Sequence, residues 1–299
     1  MLAVTPGAAR APSEDLAPQT PGALRLWRRL ARQPLGLVGL ALTLMFVFVA
    51  VFAPLLSPHS PLYQFPNGLE ANGMPLGPSR TFPLGTDDLG RDLLSRIIWG
   101  TRNTLTIALL ANLVATAIGT AFGGLAGYFG GWVDAVLMRL TEILLAVPAV
   151  LLAAFLAMVT RPAPWSLIVI IGSVNWFYLA RLVRAEVLAI KTLEYVQAAR
   201  AVGASEGRTL WRHVLAQVWG MVVVYMTLQF STTTMFTAAL SFVGIGIQPP
   251  TPDWGNLIAE GSQYLTSAPR LMIVPGAVLG LSVLGFNLLG DALRDATER

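Results

Sequence analysis

The 299-residue chain has no cysteine, which excludes disulfides and thiolate metal sites. It has a single lysine, Lys191, preceded by Ile190. A P-loop needs Gly-Lys followed by Ser or Thr, because that lysine reaches the phosphates, so no P-loop is encoded here. Histidine is almost as scarce. His59 and His213 stand far apart and are expected on opposite sides of a membrane, so they form no metal centre of the usual clustered kind. Only 12% of the residues are charged, against about 25% in an average soluble domain. Residues 1–24 hold Pro, Ala, Gly, Ser and acids but no apolar h-region, so no signal peptide is expected.

Hydrophobic residues, by contrast, make up 55% of the chain, and the mean hydropathy is +0.63. The class is an integral membrane protein. The apolar runs are long and do not alternate, which favours spanning helices over a barrel of alternating strands of roughly ten residues. Windows free of Asp, Glu, Lys and Arg and long enough to cross a bilayer occur at 33–69, 103–133, 143–160, 162–180, 213–252 and 271–290. The expected fold is an all-α polytopic membrane protein. Its six transmembrane helices are placed near 35–56, 104–128, 138–159, 165–185, 214–245 and 271–290.

The net charge of +4 is carried almost wholly by arginine and reads as orientation charge rather than nucleic-acid binding. Arg25, Arg28, Arg29 and Arg32 precede the first span, and Arg181, Arg184, Lys191, Arg200, Arg208 and Arg212 cluster later. Placing both groups in the cytoplasm puts the loops at 57–100, 160–164 and 246–270 outside, with both termini inside. Residues 1–22 read as a disordered cytoplasmic tail. In 23–34 the four arginines share one helical face, as in a helix lying on anionic lipid; a plain positive-inside flank is the alternative. The first helix and its loop then fill 35–100, and a five-helix core fills 101–295.

Small residues recur every fourth position at Ala111, Ala115, Gly119, Gly123, Gly127 and Gly131, with a shorter series at Gly276 and Gly280. Such a ridge lets backbones approach closely, within one chain or between subunits. The spans contain almost no ionisable residues, unlike those of an ion-coupled pump. Neutral polar residues remain: Asn112, Asn175, Gln229, Ser231, Thr232, Thr233, Thr234, Thr237, Ser241 and Asn287. They either hydrogen-bond between helices or line a polar path, for which Gln229, Thr233, Thr234, Thr237 and Asn287 are the candidates.

One enzymatic pattern is present on paper. "GASEG" at 203–207 fits the G-x-S-x-G nucleophile elbow. That elbow needs a strand before it and an acid and then a histidine later. A helical pattern precedes Gly203, and His213 follows only eight residues after Ser205. Gly203 reads instead as a helix stop and Ser205 as the next N-cap. No catalytic residue is expected.

The stretch "EYVQAARAVGASEGRTLWRHVLAQV" (194–218) is too charged for lipid and reads as two short helices jointed at Gly203. Val196, Ala199, Val202, Leu210 and Trp211 form an incomplete apolar face, which wants a groove on a partner. "EYVQAARAVGAS" followed by "RHVLAQ" resembles the EAA coupling motif of permease subunits of bacterial ABC importers. More narrowly, the chain resembles the dipeptide/oligopeptide/nickel permease family (DppC/OppC type). The stretches "LGTDDLGRDLLSRIIWGTR" (84–102), "GGWVDAVLMRLTEILLAVPAVLLA" (130–153), "ALSFVGIGIQPPTPDWGNLIAEG" (239–261) and "FNLLGDALRD" (286–295) carry the resemblance further.

The resemblance implies a type I ABC importer (MetI-like) permease architecture in the bacterial inner membrane, with no catalysis by this chain. It implies a second homologous permease, two cytoplasmic ATPase subunits that hold ATP and Mg, an extracytoplasmic substrate-binding protein and surrounding lipid as partners. Di- or oligopeptides are the implied cargo, with nickel or another small solute as the alternative; a self-sufficient channel or secondary transporter is the reading from another class. Carried onto this chain, the ATPase-coupling residues are Glu194, Tyr195, Gln197, Ala198, Ala199, Gly203, Ala204, Ser205 and Arg212. Two departures stand out. Gln197 replaces the usual acid before Ala-Ala, and Leu215-Ala216 replaces the usual Leu-Pro. In the outer loops, Asp87, Asp88, Arg91, Asp92, Asp253 and Trp254 either meet the binding protein, form an external gate, or build self-contained turns.

Overall fold

The computed structural model describes residues 33–160 and 163–298. The tail expected at 1–22 and nearly all of the surface helix expected at 23–34 lie outside the described residues. Among those described, the chain is helical, with two isolated antiparallel bridges, Leu69 to Pro75 and Thr86 to Asp92.

Helix α1 (Pro34–Leu56) opens on a proline, whose missing N–H costs nothing in a first turn. An excursion of turns over 57–92 follows and ends at Asp92. The Asp92 side chain accepts from the Ser95 amide and so caps α2 (Leu93–Phe129). With 37 residues, α2 is about 55 Å long at 1.5 Å per residue, well beyond a ~30 Å hydrocarbon core. It begins eleven residues before the expected start near 104. The sequence there, with Arg96 and Arg102, is too polar to read as a span, yet the Arg96 charge is neutralised by acidic partners described below.

The third and fourth expected spans are each broken. Helices α3 (Gly131–Leu145) and α4 (Ala149–Val159) meet at 93°. Pro148 lies at the corner, and the residue before a proline is steered out of the helical region. Helices α5 (Pro164–Asn175) and α6 (Phe177–Ile190) bend by 47° around Trp176. The chain then forms α7 (Glu194–Ala201), one turn at Glu206–Arg208, a π-helical stretch Thr209–Val214, and α8 (Leu215–Phe242). Helix α9 (Trp254–Ser262) and the long α10 (Arg270–Glu298) complete the described chain. Among the described residues, four continuous helices, α1, α2, Glu206–Phe242 and α10, have the length and composition to cross a membrane; each bent pair taken as one span makes six.

Helix α2 is the central post, touching α1, α5, α6 and α8. Its small-residue ridge faces α5 at Ala111 and α6 from Ala115 to Gly127. A Cβ on Gly123 would stand 2.3 Å from the Ala180 carbonyl oxygen, and one on Gly127 would stand 2.8 Å from that of Arg184. The ridge from Ala111 to Gly127 therefore serves packing within the chain. Gly131, at φ +54°, starts α3 and is no part of it, while Gly276 and Gly280 meet nothing within 4 Å.

Candidate functional site

Two polar assemblies cap opposite ends of α2. The first is built around α7. The α7 backbone ends at Val202, and Gly203 takes φ +90°, a left-handed conformation in which a side chain is strained. Nothing lies within 4 Å of a Cβ placed there, so the backbone, not crowding, demands glycine. Ser205 occupies the N-cap position of the next turn, as expected, but its hydroxyl makes no capping bond; its carbonyl accepts from the Thr209 amide and hydroxyl. Among the described residues, no histidine bonds to Ser205.

The apolar face of this segment divides. Val196 and Leu210 are buried with Val183, Val187 and Val214 in the chain's own core. Val202, 89% exposed, and Trp211, 70% exposed, face outward with Leu193. The exposed apolar surface is thus smaller than the sequence implied: Val196 and Leu210 anchor the segment, and Val202 and Trp211 near the Gly203 joint remain uncovered. Glu194, Tyr195, Gln197, Ala198, Ser205 and Arg212 are exposed, while Ala199 and Ala204 are half-buried.

Contacts from the segment, and from Lys191 just before it, reach α2. The Tyr128 hydroxyl donates a short hydrogen bond to Glu206. The Arg200 guanidinium lies 5.0 Å from the centre of the Tyr128 ring, and its Nη2 is 3.7 Å from the Glu206 carboxylate. Lys191 Nζ donates to the Gly127 carbonyl at 2.6 Å, taking up one of the acceptors a helix end leaves free. Nearby, Arg184 grips Asp134 through two 2.5 Å bonds, Nε to Oδ1 and Nη2 to Oδ2. On the segment's other arm, the Tyr195 hydroxyl reaches the His213 carbonyl at 3.3 Å.

The second assembly is an ionic cap. Arg91 Nε donates to Asp87 at 2.6 Å, and Arg96 bridges Asp87 and Glu260, the latter at 2.8 Å. This joins the 57–92 excursion, α2 and α9. Burial raises the Asp88 carboxyl above its usual range, with the charges of Asp87 and Glu260 adding to the effect. Carboxylate oxygens of Asp87, Asp88 and Glu260 lie within 4.8 Å of one another, but Arg91 and Arg96 already supply the positive charge. Asp92 also accepts the Ser95 hydroxyl at 2.5 Å and contacts His59 Nδ1 at 3.3 Å.

Asp253 caps α9 through the Gly255 and Asn256 amides, and burial, opposed by those bonds, pushes its carboxyl up to about 6. Trp254 is fully buried, edge-on to Phe46. Asp87, Arg91, Asp92, Asp253 and Trp254 are therefore interior groups that build the turns. They are not an exposed contact surface for a binding protein; of the six candidates, only Asp88 is partly exposed.

The polar residues proposed for a path divide as well. Thr233, Thr234 and Thr237 are buried within the chain, and Thr234 and Thr237 return their hydroxyls to their own helix. That is the packing alternative. Asn287 is exposed and accepts a bond from Ser231, and Gln229 is half-buried. Sequence reasoning missed Tyr128, Glu260 and the Arg96 hub. The polar start of α2 hid Arg96, and nothing in the local sequence marks Tyr128 or Glu260.

Comparison with known proteins gives two family matches. Residues 119–299 match the binding-protein-dependent transport system inner membrane component, and residues 24–75 match the N-terminal transmembrane domain of oligopeptide transport permease C. The dipeptide transport system permease protein DppC of Alkalihalophilus pseudofirmus is 36% identical over 296 residues, 99% of this chain and 95% of that protein. The glutathione transport system permease protein GsiD of Pectobacterium atrosepticum is 37% identical over 272 residues, 91% of this chain and 89% of that protein. Its counterpart from Escherichia coli O157:H7 is 36% identical over the same length, 91% of this chain and 88% of that protein.

Proposed function

This chain belongs to the family of inner membrane components of binding-protein-dependent transport systems, the permeases of ABC importers, and on that premise we propose that it carries short peptides. Relatives named for dipeptide and glutathione transport support a cargo with a peptide backbone. The importer couples two events on opposite sides of a membrane: delivery of substrate by a binding protein outside and nucleotide-driven closure of an ATPase pair inside. This chain binds no nucleotide; ATP and Mg reside on the two ATPase subunits. A second, homologous permease completes the path, and both termini of this chain lie in the cytoplasm of the bacterial inner membrane.

One observation carries the mechanism. The jointed segment around Gly203 presents Val202 and Trp211 outward while Tyr128, Arg200 and Glu206 fasten it to α2. The outward face seats in the ATPase cleft; Glu194, Tyr195, Gln197, Ala198, Ala199, Ala204, Ser205 and Arg212 border it. Movement of the ATPase is thereby delivered to α2, the central post. Of the five path candidates named from the sequence, Gln229 and Asn287 are the ones left to face the path.

The test is to extract the tagged chain gently from its native membrane, identify what co-purifies and assay reconstituted uptake. The expected assembly contains a second permease and two ATPase subunits, and imports peptides when ATP and the binding protein are supplied. A lone chain or homo-oligomer that moves solute without ATP sinks the reading.

A further inference from the structure

Between α1, α2, α8 and α10 lies an open cavity of about 510 Å³. Its size and mostly apolar lining are those of a small-molecule site, in which a few placed polar groups set orientation. Two groups here are polar and under-used. Arg102, half-buried at one end, lies 5.7 Å from the centre of the Trp99 ring, and among the described residues no acid pairs with it. Asn112 is 2% exposed; its amide nitrogen donates to the Met226 carbonyl at 2.8 Å, but its Oδ1 accepts nothing. The Thr43 hydroxyl, on the facing wall, is likewise unpaired. Buried acceptors are rarely left without a donor, so these point to an occupant that brings its own N–H groups.

Resting on the peptide reading above, we propose that this cavity is a peptide subsite in which Arg102 receives the terminal carboxylate and Asn112, turning its covered Oδ1 toward the cavity, accepts a backbone N–H. The spacing sets the length. Arg102 and Asn112 are ten residues apart on one helix, about 15 Å at 1.5 Å per residue. An extended peptide covers ~3.3–3.6 Å per residue, so about four residues bridge them. Leu105, Phe230 and Phe286 line the stretch between and accept side chains without polar selection, which suits a transporter of varied peptides. Arg102 stands 26 residues from Tyr128, about 39 Å along α2, and so beyond one ~30 Å hydrocarbon layer. Its charge therefore meets arriving substrate at the outer boundary and need not be buried in lipid. A guanidinium offers a carboxylate two parallel N–H bonds, whereas a C-terminal amide loses the charge.

The test uses the assembled transporter in lipid nanodiscs, without the binding protein, and a radiolabelled apolar tetrapeptide as free acid or C-terminal amide. Wild type is expected to hold the acid about tenfold more tightly than the amide. Arg102→Gln is expected to erase that preference and Arg102→Lys to keep part of it. A photo-reactive group at the carboxyl end of the peptide is expected to label the segment around Trp99–Leu105 on the wild-type protein, which needs no variant to fold. Equal affinity for acid and amide, or labelling elsewhere, overturns the subsite. So does recovery of an anionic lipid from the cavity of wild type that Arg102→Gln releases. The two readings fail separately: if wild type imports peptides but ignores the carboxylate, only the subsite falls, whereas import of no peptide at all removes both.

Discussion

The Tyr128 hydroxyl, one residue from the end of α2, bonds the Glu206 carboxylate on the far side of the Gly203 joint. The two are 78 residues apart in sequence, and Arg200 covers both. Tyr128→Phe removes the bond and keeps the ring under Arg200. Glu206 is largely exposed, so the stability cost is expected to stay below about 1 kcal/mol. Peptide uptake per ATP hydrolysed, measured in proteoliposomes, is expected to fall several-fold. An unchanged ratio would count against a coupling role for the Tyr128–Glu206 bond.

Gly203→Pro tests the joint itself. Proline fixes φ near −65°, and the joint needs +90°. Uptake is expected to be lost while membrane insertion, read by fractionation, persists. A bulky residue at half-buried Ala199 is expected to act in the same way. Normal transport by both variants would refute the coupling assignment.

At the other end of α2, Arg96 has a 1% exposed side chain and joins Asp87 to Glu260. Arg96→Ala leaves a buried carboxylate with less compensation, a loss of about 3–5 kcal/mol. Arg139→Ala, which breaks an exposed pair with Glu142, is expected to cost under about 0.5 kcal/mol. Thermal unfolding of the detergent-solubilised proteins compares them, and equal midpoints would deny the cap its structural role.

Asp253 gives a pH dependence. Burial raises its carboxyl from the ordinary value near 3.8 to about 6. Between those values the folded chain keeps a proton that the unfolded chain has lost. Stability from this group is therefore full below about pH 4, falls as pH rises through about 6, and is flat above. The change amounts to about 3 kcal/mol at most. Asp253→Asn, which retains an N-capping oxygen, is expected to remove this slope and to melt higher than wild type at pH 7. Parallel profiles for the two proteins across pH 4–8 would contradict it.

The spans were largely legible because uncharged length is a direct demand of the bilayer. Their breaks were less so: Pro148 marks one corner, but its 93° angle depends on where α4 finds α5 to pack against. The start of α2 was missed because Arg96 looks too costly for a long buried helix until Asp87 and Glu260 are placed beside it. The joint in the 194–218 segment was legible through Gly203, a backbone need visible in sequence. Which of its apolar residues faced inward was not, since Val196 and Val202 are alike until α6 takes one and leaves the other. The acids of the outer loops stayed undecided for the same reason: an Asp in a polar loop can be surface or turn, and only the fold reveals that Asp92 and Asp253 are helix caps.

Helix α2 is pinned at both ends, by the Arg96 cap and by the Tyr128 clasp, with a close-packed glycine ridge against α6 between them. A 37-residue helix held this way behaves as a stiff lever: pivoting by a tenth of a radian about one end sweeps the other through roughly 5 Å over its ~55 Å length. Little of that displacement can be absorbed along the way, because bending α2 opens gaps against α6. The two ends must keep time with each other, and a hand on either one is felt at the other.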